Sequence, residues 1–236
     1  TFHAAALRQL SYFWAHAVGG PMPQIQESKV GLVAQAAGQL GIGVDRTTIR
    51  DLAAEIEWSK VTLTGQENYV EKARATGREG VAGQTLESIG RLIAAYEEAK
   101  SARGVIDFED ILLILIGIMA ERDDIARQIR HQYRYFVVDE YQDVSPLQQR
   151  LLDHWLGERR DLCVVGDVSQ TIYSFTGATP SYLRDFRKRF KEASEIELVR
   201  DYRSTPQIVD AANRVIAPGR LEGAVKLQAQ RPSGPA

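Results

Sequence analysis

Three short apolar runs, each followed by a proline-opened helix, constrain the fold of this chain more than any other feature. The runs are Phe136-Val137-Val138, Leu162-Cys163-Val164-Val165 and Ile196-Glu197-Leu198-Val199. Ser145-Pro146, Thr179-Pro180 and Thr205-Pro206 follow them in turn. A hydroxyl residue before proline marks a helix start: the side chain caps and the ring fits the first turn. Gln148 completes a capping box with Ser145, and Gly157 stops that helix. The second helix is predicted to run through Phe190 and the third through Ile216. Strands separated by helices of this length pair in parallel, in a sheet covered by those helices. The fold class is therefore α/β. In such sheets ligands bind at the carboxyl ends of strands. Asp139-Glu140 and Gly166-Asp167 stand at two of those ends. That position makes Asp139, Glu140 and Asp167 candidate site carboxylates.

The chain before Val105 has a different grammar. Ile49, Leu52, Ala53 and Ile56 recur at the spacing of one helix face, as do Leu86, Ile89, Leu92, Ile93 and Tyr96. Short stretches such as Ala75-Thr76-Gly77 separate them, and no strand alternation is visible. Four segments are expected. They are a short opening segment (1–20), a helical subdomain (21–104), an α/β segment (105–196) and a last segment (197–236). After Pro218 the tail should be mobile or irregularly packed. Asp107 can cap a helix through Ile111–Met119, with Asp110 reaching back from the third helical position. The apolar run from Ile111 to Ala120 falls far short of the roughly 20 residues of a membrane helix. It reads as a buried helix, and no membrane association is expected.

The formal net charge is -2. A chain-wide basic footprint is excluded, so any contact with nucleic acid must be local. Arg184, Arg187, Lys188, Arg189 and Lys191 cluster on one predicted helix, as a solvated face or a phosphate track. The single cysteine, Cys163, cannot form an internal disulfide, which fits a reducing cytoplasm. His3, His16, His131 and His154 show no zinc-ligand spacing. No signal peptide opens the chain. It starts at Thr1, within what reads as structured sequence, as an excised segment would.

An apolar strand ending in Asp-Glu is the arrangement that phosphoryl transfer uses to hold a metal and orient water. Its context here is long. Val137-Val138-Asp139-Glu140-Tyr141-Gln142-Asp143-Val144-Ser145-Pro146-Leu147-Gln148 is followed by Val164-Val165-Gly166-Asp167-Val168-Ser169-Gln170-Thr171-Ile172-Tyr173-Ser174-Phe175-Thr176-Gly177-Ala178. Leu198-Val199-Arg200-Asp201-Tyr202-Arg203-Ser204-Thr205-Pro206 comes next. In that order the three blocks resemble motifs II, III and IV of the UvrD/Rep/PcrA family of superfamily 1 DNA helicases. Thr1-Phe2-His3 resembles a short DNA-contacting motif of that family, and Asp107-Phe108-Glu109-Asp110 the approach to motif II.

The resemblance implies a partial RecA-like parallel sheet with a helical insertion subdomain. It implies ATP and Mg²⁺ as cofactors, with Asp139 on the metal and Glu140 activating water. Gln170, after Asp167, would sense the terminal phosphate. Tyr202 would stack on adenine and Arg203 would reach the γ-phosphate. Thr1, Phe2, His3, Tyr173 and Phe175 would contact DNA. The implied activity is 3′-5′ translocation on single-stranded DNA, or on DNA with a single-stranded tail. Repair proteins are further candidate partners.

The sequence also departs from the pattern. The phosphate-gripping Gly-x-x-x-x-Gly-Lys-[Ser/Thr] loop is absent, and the chain has no Gly-Lys pair. The family carries that loop before the Thr-Phe-His block, and further motifs after motif IV. The chain alone is therefore expected to be inactive. Thr176 stands where the family often has Arg, and Phe175 where it often has Trp. Two alternatives remain open at this point: a helicase-derived module that only binds DNA or protein, and the motor part of an AddA/RecB-type helicase–nuclease.

Overall fold

The computed structural model describes residues 1–171, 177–217 and 225–234. The chain divides into two compact units, residues 1–134 with 145–159, and residues 135–144 with 160–236.

The first unit is helical. It contains α1 (Phe2–Ala17), α2 (Val30–Gln39), α3 (Arg46–Val61), α4 (Tyr69–Ala75), α5 (Leu86–Arg103), α6 (Phe108–Glu121), α7 (Asp123–Gln132) and α8 (Pro146–Leu156). Leu52 and Ile56 of α3 are buried, as are Leu86, Ile89, Leu92, Ile93 and Tyr96 of α5. Both stripes follow the predicted spacing. With Leu32 and Ala36 of α2 and Tyr69 of α4 they form one core. The apolar run of α6 packs against α1, α7 and α8. One short parallel pair joins β1 (Gln24–Ile25) to β2 (Val105–Ile106). The expectation of a strand-free helical zone is corrected here: two residues are too few to show alternation.

The caps explain where these helices begin. Asp107 accepts the Asp110 N–H at 3.1 Å, and the Asp110 carboxylate accepts the Asp107 N–H at 2.9 Å. Ser145 and Gln148 form the second capping box, at 3.1 and 3.3 Å. Ser145→Ala removes the acceptor for the Gln148 N–H. It should cost about 0.5–2 kcal/mol of the helical unit's stability. Trp14, Trp58 and Trp155 all lie in this unit. Urea unfolding followed by tryptophan fluorescence therefore reads that unit, and an unchanged midpoint would refute the cap's contribution.

Charge is also buried in this unit. Asp107 is fully buried and accepts from Lys60 Nζ at 2.7 and 2.8 Å, from the Tyr96 hydroxyl at 2.9 Å and from Lys100 Nζ at 3.3 Å. Lys60 and Lys100 also pair with Asp110. Glu97, Asp107 and Asp110 lie close enough together to suggest a cation site. The two ammonium groups already supply the positive charge there.

The second unit is α/β with short parallel sheets. β3 (Phe136–Val138) pairs with β4 (Leu162–Val164), Phe136 opposite Leu162 and Val138 opposite Val164. β5 (Arg200–Asp201) pairs in parallel with β6 (Gln228–Ala229). Around them lie α9 (Ser181–Arg184), α10 (Phe186–Arg189) and α11 (Pro206–Ile216).

Three expectations are corrected in this unit. The first concerns β3, which is not a buried strand: Val137 is 75% exposed, because the two-stranded sheet leaves that face uncovered among the described residues. The second concerns residues 196–199, which do not form a strand. Ile196 and Leu198 are exposed, and pairing begins only at Arg200, where β6 runs alongside. The third concerns the helix predicted from Thr179-Pro180 through Phe190, which breaks at Asp185. The backbone leaves helical geometry at Asp185, with φ -95° and ψ 11°, so the basic residues do not share one continuous helix; the Asp185 carboxylate takes Lys188 Nζ at 2.6 Å and Arg184 at 3.4 Å. Within the tail, Asn213 accepts from the Leu227 N–H and donates to the Leu227 carbonyl, which seats the chain just before β6. Residues 218–224 and 235–236 lie outside the described residues. Among the described residues no helix is long and apolar enough to cross a membrane.

Candidate active site

The site grows from the end of β3. Beyond the paired strands the ladder continues for two bonds, Val165 N–H to Val138 O and Tyr141 N–H to Val165 O, both at 2.9 Å. Between them the chain must turn within Asp139 and Glu140. It does so by placing Glu140 in the left-handed region, φ 51° and ψ 41°. A residue with a side chain pays about 1–2 kcal/mol for that conformation. Such strain collects at functional positions. Asp139 Oδ1 accepts the Glu140 N–H at 3.0 Å. Both side chains are exposed at the strand's carboxyl end.

A buried amide ties this turn to the next strand. Gln142 is 1% exposed. Its Nε2 donates to Glu140 Oε2 at 2.7 Å and to Asp143 Oδ2 at 3.2 Å. Its Oε1 accepts the Asp167 N–H at 3.1 Å. Asp167 in turn accepts the Ser169 N–H at 2.9 Å and Gln170 Nε2 at 3.0 Å. Burial raises the Asp143 carboxyl pKa, the Gln142 amide opposes that shift, and the Glu140 charge adds to it. Tyr141, almost fully buried, packs edge-on against Phe186 and anchors the turn.

Asp139, Glu140, Asp167 and Gln170 are thus linked through one local network. Tyr202 and Arg203 belong to the other strand pair of this unit, on the turn after β5. Asp201 Oδ1 accepts the backbone N–H groups of Arg203 and Ser204 at 2.7 and 2.8 Å, and these bonds hold its carboxyl below the usual range. The turn leaves Tyr202 68% exposed. Among the described residues the Arg203 guanidinium has no ion-pair partner. Tyr173 and Phe175 lie outside the described residues.

Thr1, Phe2 and His3 belong to the helical unit. Thr1 caps α1 by accepting the Ala4 N–H at 3.2 Å. Phe2 stacks on Trp155 at 5.8 Å between ring centroids, and His3 meets Phe108 edge-on. Burial lowers the His3 pKa, with the Lys29 charge acting the same way.

The donor set at Asp139 suits magnesium. One carboxylate, exposed at a strand end, fits a hard cation that keeps several waters and takes its remaining ligands from phosphate oxygens. The sequence pattern marks neither Gln142 nor the glycine beside Asp167 as a functional position. Gln142 lies inside the motif II block, but only its burial sets it apart from the acidic residues around it.

The family model of the UvrD/REP helicase N-terminal domain matches residues 1–191. The chain is 48% identical over 242 residues to ATP-dependent DNA helicase UvrD2 of Mycobacterium tuberculosis, covering 100% of this chain and 34% of the relative. It is 35% identical over 141 residues to the putative ATP-dependent DNA helicase YjcD of Bacillus subtilis, covering 60% of this chain and 19% of that one. With ATP-dependent DNA helicase UvrD1 of Mycobacterium leprae it shares 28% identity over 232 residues, 92% of this chain and 29% of the relative. The chain therefore spans about a third or less of the length of these relatives. With one domain model matching most of its length, the chain belongs to the UvrD/REP helicase N-terminal domain family.

Proposed function

We propose that this chain supplies the hydrolytic and coupling residues of an ATP-dependent DNA helicase, a motor that moves 3′ to 5′ on single-stranded DNA. The observation that carries the reading is the Asp139–Glu140 turn joined through Gln142 to Asp167 and Gln170. Phosphoryl transfer needs positioning and charge neutralisation more than covalent chemistry. Asp139 would hold Mg²⁺, which neutralises charge on the β- and γ-phosphates when bound. Glu140 would orient the attacking water and take its proton. Gln170 would sense the terminal phosphate, and Tyr173 and Phe175, a few residues further along the chain, would contact DNA. Tyr202, exposed on its turn, offers adenine a stacking face. Arg203, without an ion-pair partner among the described residues, suits the role of a cation for the γ-phosphate. Thr1, Phe2 and His3 would contact DNA; base stacking is tolerant of sequence, which suits a translocating motor.

On this reading residues 1–20 and 105–196 belong to the first motor domain and 21–104 to an insertion within it. Residues 197–236 begin the second motor domain. The names of the relatives support ATP and DNA as ligands. Repair proteins are the further partners, and the cytoplasm the expected compartment. The 236-residue chain alone should hydrolyse ATP negligibly, because it lacks the Gly-Lys loop that would grip the β- and γ-phosphates.

The test is strand displacement by the full-length protein on duplexes with a 3′ or a 5′ single-stranded tail. The 3′-tailed duplex should be unwound, with ATP and Mg²⁺ both required. Unwinding only from the 5′ tail would refute the polarity, and unwinding of neither would count against the motor.

A further inference from the structure

Gln142 is a buried polar side chain in the second unit to which the hydrolytic roles above assign no task. Three of its four hydrogen-bonding positions are used, two donors toward Glu140 and Asp143 and one acceptor toward the Asp167 N–H. The partners fix the amide's orientation. Turned over, it would set its oxygen against two carboxylates and its NH₂ against a backbone N–H.

The loop after β4 comes up against this amide as closely as a residue without a side chain allows. A Cβ at Gly166 would lie 2.5 Å from Gln142 Oε1, 2.9 Å from Leu183 Cδ2 and 3.2 Å from the Gln142 backbone nitrogen. Glu140 meanwhile stands exposed on a left-handed backbone. Among the described residues the Gln142 amide is the side-chain group that restrains its carboxylate.

We propose that Gln142 is a positioning residue for ATP hydrolysis: it holds the Glu140 carboxylate and fastens it to the Gly166–Gln170 loop. The inference rests on the function proposed above. A displacement of the loop moves the Asp167 N–H, hence the amide, hence Glu140. Turnover therefore depends on the loop's position through Glu140, apart from any contact that Gln170 makes with the terminal phosphate. An error of about 1 Å in such placement costs about 10²-fold in rate.

The experiment uses the full-length protein and four variants: Glu140→Gln, Gln142→Leu, Gln142→Glu and Gly166→Ala. It measures kcat and KM for ATP with single-stranded DNA present, DNA affinity without nucleotide, and the melting temperature. Gln142→Leu removes all three bonds at similar size. Gln142→Glu keeps the acceptor for Asp167 and loses the donor. Gly166→Ala leaves the amide's chemistry alone and pushes it aside. Each of these three should lower kcat about 10–100-fold, with KM and DNA affinity within about threefold of wild type. Wild-type kcat in folded Gln142 variants, in an assay where Glu140→Gln is inactive, would overturn the positioning role. A parallel loss of kcat, DNA affinity and melting temperature would also overturn it, as the mark of a merely structural residue. If the Gln142 variants do not fold, Gly166→Ala decides alone by the same criteria. Full turnover in Glu140→Gln would instead refute the hydrolytic reading itself.

Discussion

Glu140→Gln is expected to lower the DNA-stimulated ATP turnover of the full-length protein by about 10²–10⁴-fold, the usual contribution of a positioned general base. The variant keeps the shape of the side chain and loses its capacity to take a proton. It also disturbs the network beneath. Gln142 Nε2 now donates to Glu140 Oε2 at 2.7 Å. An amide there must present its oxygen to that donor, which puts an NH₂, unable to take a proton, where Glu140 has its other carboxylate oxygen. Single-stranded DNA affinity should stay near wild type, since Glu140 would touch water rather than DNA. Steady-state turnover and a DNA-binding titration read the two effects separately. A variant that hydrolyses ATP as fast as wild type would remove Glu140 from the mechanism.

The second large effect concerns stability. Asp107→Ala should destabilise the helical unit by about 3–5 kcal/mol, from the lost helix cap and the buried donors left without their acceptor. The substitution takes a shared buried acceptor from Lys60, Lys100 and the Tyr96 hydroxyl, and leaves the two ammonium groups to Asp110 and Glu97. It also removes the cap of α6. Domains are stable by only about 5–15 kcal/mol, so much of the margin would be lost. Urea unfolding of the 236-residue chain, followed by tryptophan fluorescence, measures the change.

The same carboxyl carries a pH dependence. Burial alone would raise the Asp107 pKa, but the Lys60 and Lys100 ammonium groups outweigh it and hold the group well below the ordinary aspartate range. A carboxyl depressed in the folded state stabilises fully above its unfolded pKa. That contribution is lost as pH falls through the folded value. The gap between wild type and Asp107→Ala should therefore be widest near neutrality and narrow below about pH 4. A gap that stays constant into acid would contradict the depressed pKa.

Local chemistry made part of this molecule readable in advance. Asp107 with Asp110, and Ser145 with Gln148, are capping boxes in the sequence and in the structure, because a cap needs only residues three apart. The core stripes of α3 and α5 were readable because one helix face repeats over several turns. Elements fixed by distant partners were not. β1 has two residues and exists because Val105 and Ile106 lie alongside. Ile196 and Leu198 look like a strand by composition, yet pairing with β6 starts only at Arg200. Thr179-Pro180 marks a helix start to within a residue, with Pro180 rather than Thr179 at the cap position, and nothing in that signal reveals the break at Asp185.

The candidate site was legible to the same degree. Asp139, Glu140 and Asp167 stood out because they end apolar runs. Gln142 did not, since its role depends on burial and on the approach of Gly166, both properties of the folded chain.

The most direct test of the motor reading is ATP turnover by the full-length wild-type protein with and without single-stranded DNA. Turnover should be slow without DNA and strongly stimulated by it, with Mg²⁺ required. Equal, background turnover in both conditions would contradict the motor reading and leave the Asp139–Glu140 turn as inherited scaffold in a binding module.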